Sequence, residues 1–264
     1  MSATTSFAKR VGLPSLALTV IYWALFVAPG SGSGVRTSEP QLEQLRLLRA
    51  DSESLIHARK FEQALEPALQ LTAAEPGNHA YLRNLAQIYN GLGRSADEAR
   101  TWELFEESAP VPIEACPQIG IAYLKQTRVE EAFHALEHCY ELDKDNADSI
   151  FYLALTWERK GNPARAAELY RQGLVIAPDY VDLQVGLART DLHLGKSKEA
   201  RQAAEQVLAR EPSNIDALLV AGLASWHAGD SQTARDYLEK GARLAPGDAD
   251  FNTALQSMAN GAKP

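Results

Sequence analysis

Proline recurs on a fixed grid in this chain: Pro76, Pro110, Pro178, Pro212 and Pro246 are separated by 34 residues or a multiple of it, with Lys144 filling the one vacant place. Two further grids share the period, one of Gly93, Gly161, Gly195 and Gly229 and one of Ala64, Ala132, Ala166, Ala200 and Ala234. Three coincident grids fix the architecture more tightly than composition does, because a period of 20–50 residues means that one supersecondary unit is stacked on copies of itself. Six units follow without gaps, 45–78, 79–112, 113–146, 147–180, 181–214 and 215–248.

Each unit reads as helix, turn, helix. In the fourth, Ile150, Leu153, Ala154 and Trp157 recur at helical spacing, Gly161-Asn162 interrupts, and Ala166, Leu169, Tyr170 and Leu174 form a second apolar stripe. Pro178 ends the second helix, since it has no amide hydrogen and disfavours helix in the residue before it, and Asp179 is expected to cap the next. The small residues at Ala166, Ala200 and Ala234 let paired helices approach closely. Turns are expected near Gly93, Thr127, Gly161, Gly195 and Gly229, and 249–259 reads as a final amphipathic helix covering the last hairpin.

With its Leu, Gly/Ala, aromatic, Gly, Ala, aromatic and Pro positions, the period resembles the tetratricopeptide repeat over residues 45–248, most closely in the fourth and sixth units. The resemblance implies an all-α fold, a right-handed superhelical solenoid of six hairpins plus a C-terminal capping helix, occupying 42–264. Departures are local. Asp51 and Ser52 replace apolar residues in the first unit, Pro67 predicts a kink, and Gln184 and Asp191 stand at usually apolar places in the fifth. Glu98 falls on the alanine grid beside Ala99, which reads as one extra residue in that turn.

Ahead of the repeats, Lys9 and Arg10 precede the uncharged, mostly apolar run Val11 to Ala28, followed by a linker over 31–41 rich in Gly and Ser. Residues 1–30 therefore read as a secretory signal peptide or an uncleaved signal anchor, with 11–28 as a membrane tether in the second case. Both readings place the repeats in an exported compartment, periplasmic or secreted. There the two cysteines, Cys116 and Cys139, lie equidistant from the Thr127-Arg128 turn and are candidates for a disulfide, the alternative being two buried thiols.

The net charge of −8, with a positive excess only in the first forty residues, excludes the basic footprint of a nucleic-acid binder. No constellation supports catalysis or a cofactor. Gly91-Leu-Gly93-Arg94-Ser95-Ala96 spells a dinucleotide fingerprint, but a helix precedes it where a strand is required. His134 and His138 are one helical turn apart with Cys139 adjacent, yet they face away from the partner helix and read as solvated surface rather than metal ligands. Glu106-Glu107 and Glu130-Glu131 diverge around their helices.

A binding module remains, with the first helix of each unit lining the surface such solenoids offer to partners. That surface changes from Arg46, Arg49, Glu53, Arg83, Asn84 and Gln87 in the first half to Phe151, Leu155, Val185, Leu192, Leu219, Leu223 and Trp226 in the second. The resemblance also suggests a clamp for a peptide carboxylate, but Glu53, Glu114 and Gln118 stand where its Asn and basic residues belong. The expected function is a non-catalytic scaffold binding a protein or peptide segment through the apolar residues. A structural accessory tethered to the envelope is the alternative, and a core role for Trp226 competes with a binding one.

Overall fold

The computed structural model describes residues 39–108 and 115–261. The expected signal or anchor over 1–30, most of the linker, Pro110 and Glu114 lie outside the described residues. Thirteen helices and no strands are found among the described residues. They are α1 Glu39–His57, α2 Phe61–Ala74, α3 His79–Gly91, α4 Ser95–Ser108, α5 Ala115–Lys125, α6 Val129–Leu142, α7 Ala147–Arg159, α8 Pro163–Ile176, α9 Val181–His193, α10 Ser197–Arg210, α11 Ile215–His227, α12 Ser231–Leu244 and α13 Ala249–Ala259. The helices group into two compact units that divide between Ala135 and Leu136, inside α6.

One backbone device closes every hairpin. The second residue after each first helix adopts a left-handed conformation at Gly93, Gly161, Gly195 and Gly229, with φ between 68° and 84°. Thr127 and Arg59 do the same at 59° and 55°. Glycine enters this region without penalty, whereas a β-branched threonine does not. The amide of the residue after each such turn then donates back to a carbonyl five residues earlier, as in Asn162 to Trp157 at 2.9 Å and Lys196 to Asp191 at 2.9 Å. These bonds satisfy carbonyls that the helix end leaves open. Arg59 is the one member of the grid that sequence reading did not name.

Polar caps start the helices that follow. Oδ1 of Asn78 accepts from the amides of Ala80 and Tyr81, Asn146 from Ser149, Asn214 from Ala217 and Asp248 from Asp250. The expected cap at Asp179 is displaced: Tyr180 holds the cap position of α9 without a side-chain capping bond, and the Asp179 carboxylate accepts from Arg210 instead, at 3.3 Å. Pro67 is held inside α2, which continues unbroken from Phe61 to Ala74.

In the first unit, α1 packs on α2 and α3, and α3 and α4 follow in sequence down to α5. Its core is Ile56, Ala64, Ala68, Leu85, Ile88 and Tyr89, continued by Leu82, Ala86, Trp102, Phe105, Ala115 and Ile119. In the second unit each helix from α7 to α13 packs on the next, and the first helices also meet each other, α7 on α9, α9 on α11 and α11 on α13. The alanine grid is fully buried at Ala166, Ala200 and Ala234. Gly222 lies so close to Leu238 that a methyl group there would sit 2.7 Å from its side chain.

The register corrects one expectation. α4 begins at Ser95, one period after Phe61 and one before Val129, so its turn holds no extra residue. Glu98 occupies the alanine position itself, with 1% of its surface exposed, and is stabilised there by Lys125, whose Nζ lies 3.0 and 2.9 Å from its two carboxylate oxygens.

Candidate inner-helix interaction surface

Along α7, the residues Asp148, Phe151, Leu155 and Glu158 are spaced three, four and three apart, which sets them on one stripe of the helix. The same spacing gives Asp182, Val185, Arg189 and Leu192 on α9 and Asp216, Leu219, Leu223 and Trp226 on α11. Since α9 packs against both α7 and α11, the three stripes are brought side by side in the second unit.

The apolar residues expected on this surface divide into two groups. Val185 and Leu192, 4% and 8% exposed, are buried in a cluster with Ala188, Ala204, Val220 and Ala221. They hold neighbouring hairpins together, because α9 is flanked on both sides. Phe151, Leu155, Leu219, Leu223 and Trp226 are half-buried and keep part of their surface open to solvent. Phe151 stands among three tyrosines, its ring 5.0 Å from that of Tyr152 and 6.1 Å from those of Tyr170 and Tyr180. Leu219 and Leu223 rest on the cluster of Leu218, Leu238 and Phe251. Trp226 has its ring 6.4 Å from that of His227, and its neighbour Ser225 is fully buried.

A polar network fixes the far end of the stripe. The Glu158 carboxylate accepts from Tyr170 Oη at 2.9 Å, Arg189 Nη2 at 2.8 Å and Thr190 Oγ1 at 2.7 Å, joining α7, α8 and α9. Burial pushes the Tyr170 hydroxyl well above its ordinary range, and the neighbouring Glu158 carboxylate adds to the effect. For Arg189, burial is the largest influence and works against the charge, but the hydrogen bond to Glu158 and the negative charge of that carboxylate together outweigh it and keep the guanidinium protonated. Glu158 is thus a structural bridge rather than an open acid.

Carboxylates gather at the near end. Asp148 accepts from the Tyr180 hydroxyl, while burial raises the carboxyl of Asp182, as do the charges of Asp216, Glu211 and Asp148. Asp148, Asp182 and Asp216 keep the 34-residue spacing in the sequence, where each alone reads as an ordinary helix-start residue.

The polar replacements in the fifth unit are also accounted for. Asp191 accepts from Arg171 and Lys196, each at 3.0 Å, and Gln184 donates to the Pro178 carbonyl and accepts from Arg210. Both are surface braces rather than misplaced core residues.

In the first unit, a cleft lined by Ile56, His57, Arg59, Phe61, Gln87 and Asn90 contains one imidazole and one guanidinium but no carboxylate. His134 and His138 are exposed, and no group of three or more His, Cys, Asp or Glu is placed to hold a metal ion among the described residues. Among those residues, no helix is long and apolar enough to cross a membrane. Cys116 and Cys139 are buried and both are disulfide-bonded, with no free cysteine present.

Known proteins share this architecture. The chain is 25% identical over 154 residues to BBSome complex member BBS4 of Bos taurus, covering 57% of this chain and 30% of that protein. It spans less than a third of the length of the first curated relatives it matches. Among solved structures, pilF of Pseudomonas aeruginosa superposes with a TM-score of 0.65 at 18% identity, over 83% of this chain and all of that one. PilW, described as a widely conserved type IV pilus biogenesis factor, superposes with a TM-score of 0.67 at 16% identity, over 80% and 98%. At those identities the likeness is one of fold. Tetratricopeptide repeat models match residues 52–105, 118–181 and 158–221, together more than half of the chain, and with the unbroken period and the helical hairpins this establishes that the protein belongs to the tetratricopeptide repeat family.

Proposed function

We propose that this protein is a non-catalytic scaffold of an exported compartment, binding a segment of a partner protein along the first helices of its second unit. One observation carries the reading: Phe151, Leu155, Leu219, Leu223 and Trp226 form an incompletely covered apolar stripe on helices whose opposite faces already supply the core. A helix apolar on two sides has a second surface to cover, and tetratricopeptide proteins meet partner segments on such surfaces. The family is one of interaction scaffolds, and no catalytic constellation is assembled among the described residues.

Export is supported by the basic start and apolar run at Lys9 to Ala28 and by the disulfide form of both cysteines, which suits an oxidising compartment. The description of PilW as a pilus biogenesis factor fits an accessory of envelope assembly. Fractionation with N-terminal sequencing of the mature protein tests export, and recovery of the intact N-terminus in the membrane fraction would identify a tethered accessory. Recovery of the chain in the cytoplasm with reduced cysteines would overturn export. For binding, partner capture is compared between wild type, Phe151→Ala and Trp226→Ala, with thermal unfolding in parallel. Unchanged capture by variants that melt well below wild type would show that these residues serve packing alone.

A further inference from the structure

The acidic end of the stripe repeats with the period. Asp148, Asp182 and Asp216 each stand second in their helices, α7, α9 and α11, and Asp250 holds the same place in α13. An acid at this position is favoured by the helix dipole, worth ~0.3–1 kcal/mol each. The dipole alone does not account for the distribution, because the second residues of the intervening helices α8, α10 and α12 are Ala164, Lys198 and Gln232. At this second position the carboxylates fall on α7, α9, α11 and α13 and not on the helices between them.

None of Asp148, Asp182 and Asp216 is in an ion pair among the described residues. Arg189, the cation on these stripes, pairs with Glu158 at 2.8 Å and meets Asp216 only through the longer-range attraction of their charges. Asp182 is held above its ordinary carboxyl range by burial and by the like charges of Asp216, Glu211 and Asp148. Like charges without a paired cation repel one another, and a group of opposite sign that meets them relieves the repulsion. Tyr152 and Tyr180 flank Asp148, Tyr180 donating its hydroxyl to that carboxylate. The apolar residues begin one turn further along the same stripes, at Phe151 and Leu219.

From this arrangement we infer that the surface takes a cationic, apolar segment of a partner protein, its Lys or Arg side chains against Asp148, Asp182 and Asp216 and its apolar side chains on Phe151, Leu155, Leu219 and Leu223. The inference rests on the scaffold reading and adds the chemistry of the partner. The net charge of −8 favours approach of such a segment, and high salt weakens it.

Fluorescence anisotropy on the full chain provides the test, using three labelled dodecapeptides: one alternating leucine with lysine, one with glutamate for lysine, and one with serine for leucine. The leucine–lysine peptide is expected to bind at least tenfold more tightly than either of the others. Asp182→Asn/Asp216→Asn is expected to weaken it at least tenfold while leaving the melting temperature within a few degrees of wild type, since relief of repulsion offsets the lost interaction of each carboxylate with its helix dipole. Equal binding of the lysine and glutamate peptides, both lost in Phe151→Ala, would refute the cationic partner and leave the scaffold reading standing. Binding of the lysine peptide unaltered by both the Asn pair and Phe151→Ala would refute both. A rise in melting temperature with calcium chloride that the Asn pair abolishes, without peptide binding, would make the carboxylates a metal site and overturn the proposal.

Discussion

Replacing Lys125 with methionine removes the cation from a carboxylate that cannot reach water. Glu98 is 1% exposed and Lys125 36%, with the pair reinforced by Asn90, whose Oδ1 accepts from Nζ at 3.1 Å. Breaking a fully buried pair from one side costs about 3–5 kcal/mol, and the partial exposure of Lys125 brings the expected loss to ~2–3 kcal/mol. In a domain of this size that is a fall of about 4–12 °C in melting temperature, read by circular dichroism at neutral pH. Burial already raises the Glu98 carboxyl above its ordinary value against the opposing pull of Lys125, and without the lysine it rises further. An acid with a raised folded-state pKa contributes stability that is fully present below the unfolded value of 4.5 and is lost as pH climbs through the folded one. The deficit of Lys125→Met is therefore widest at alkaline pH and narrows as pH falls toward the unfolded value of 4.5. Glu98→Ala restores the residue found at Ala64, Ala132, Ala166, Ala200 and Ala234 and is expected to stay within about 1 kcal/mol of wild type. A Lys125→Met melting point equal to wild type, a deficit independent of pH, or an equal loss in Glu98→Ala would refute the reasoning.

Thr127→Gly relieves a β-branched residue at φ 59° and is expected to stabilise by ~0.5–1 kcal/mol; an unchanged or lower melting point would count against strain at that turn. Thiol titration of the protein purified under non-reducing conditions should find no free cysteine, and Cys116→Ser should cost ~3 kcal/mol by the loop-entropy argument, whereas two titratable thiols would exclude the bond. Gly241→Ala places a methyl group 2.0 Å from the Phe251 ring and should loosen α13 at a cost of ~1–3 kcal/mol, seen as faster proteolysis of the C-terminal helix, while wild-type resistance would show that the ring swings aside. Tyr170→Phe leaves Glu158 with Arg189 and Thr190 and should lower stability by ~1 kcal/mol, an effect absent if the tyrosine bond contributes nothing.

The helices and their turns were legible because the period states them many times over, so a single departure cannot hide the rest. Individual departures were harder to read. Glu98 suggested an insertion because a buried acid is improbable until its lysine is found, and Lys125 lies twenty-seven residues away in sequence. Asp179 suggested a cap because its position relative to Pro178 is right, but the chain begins α9 one residue later and leaves that carboxylate to Arg210. On the candidate surface, periodicity identified the stripe but not its depth. Val185 and Leu192 share their stripe positions with Phe151 and Trp226, and what separates them is the presence of helices on both sides of α9. The column of aspartates was legible in principle, since it obeys the same period as the prolines.

The constant register, in which Pro163, Ser197 and Ser231 open successive second helices at intervals of 34 residues, makes each hairpin of the second unit an interchangeable part. Excising residues 147–180 as a block would join Asn146 to Val181, reproducing a junction already present between Asn214 and Ile215, with an asparagine before the β-branched start of a first helix. Excising one residue fewer would turn every following side chain by about 100° around its helix and aim charged residues into the core. Repertoire can therefore change in a lineage by gain or loss of whole hairpins, through unequal recombination, while slips of any other length are removed at the level of folding.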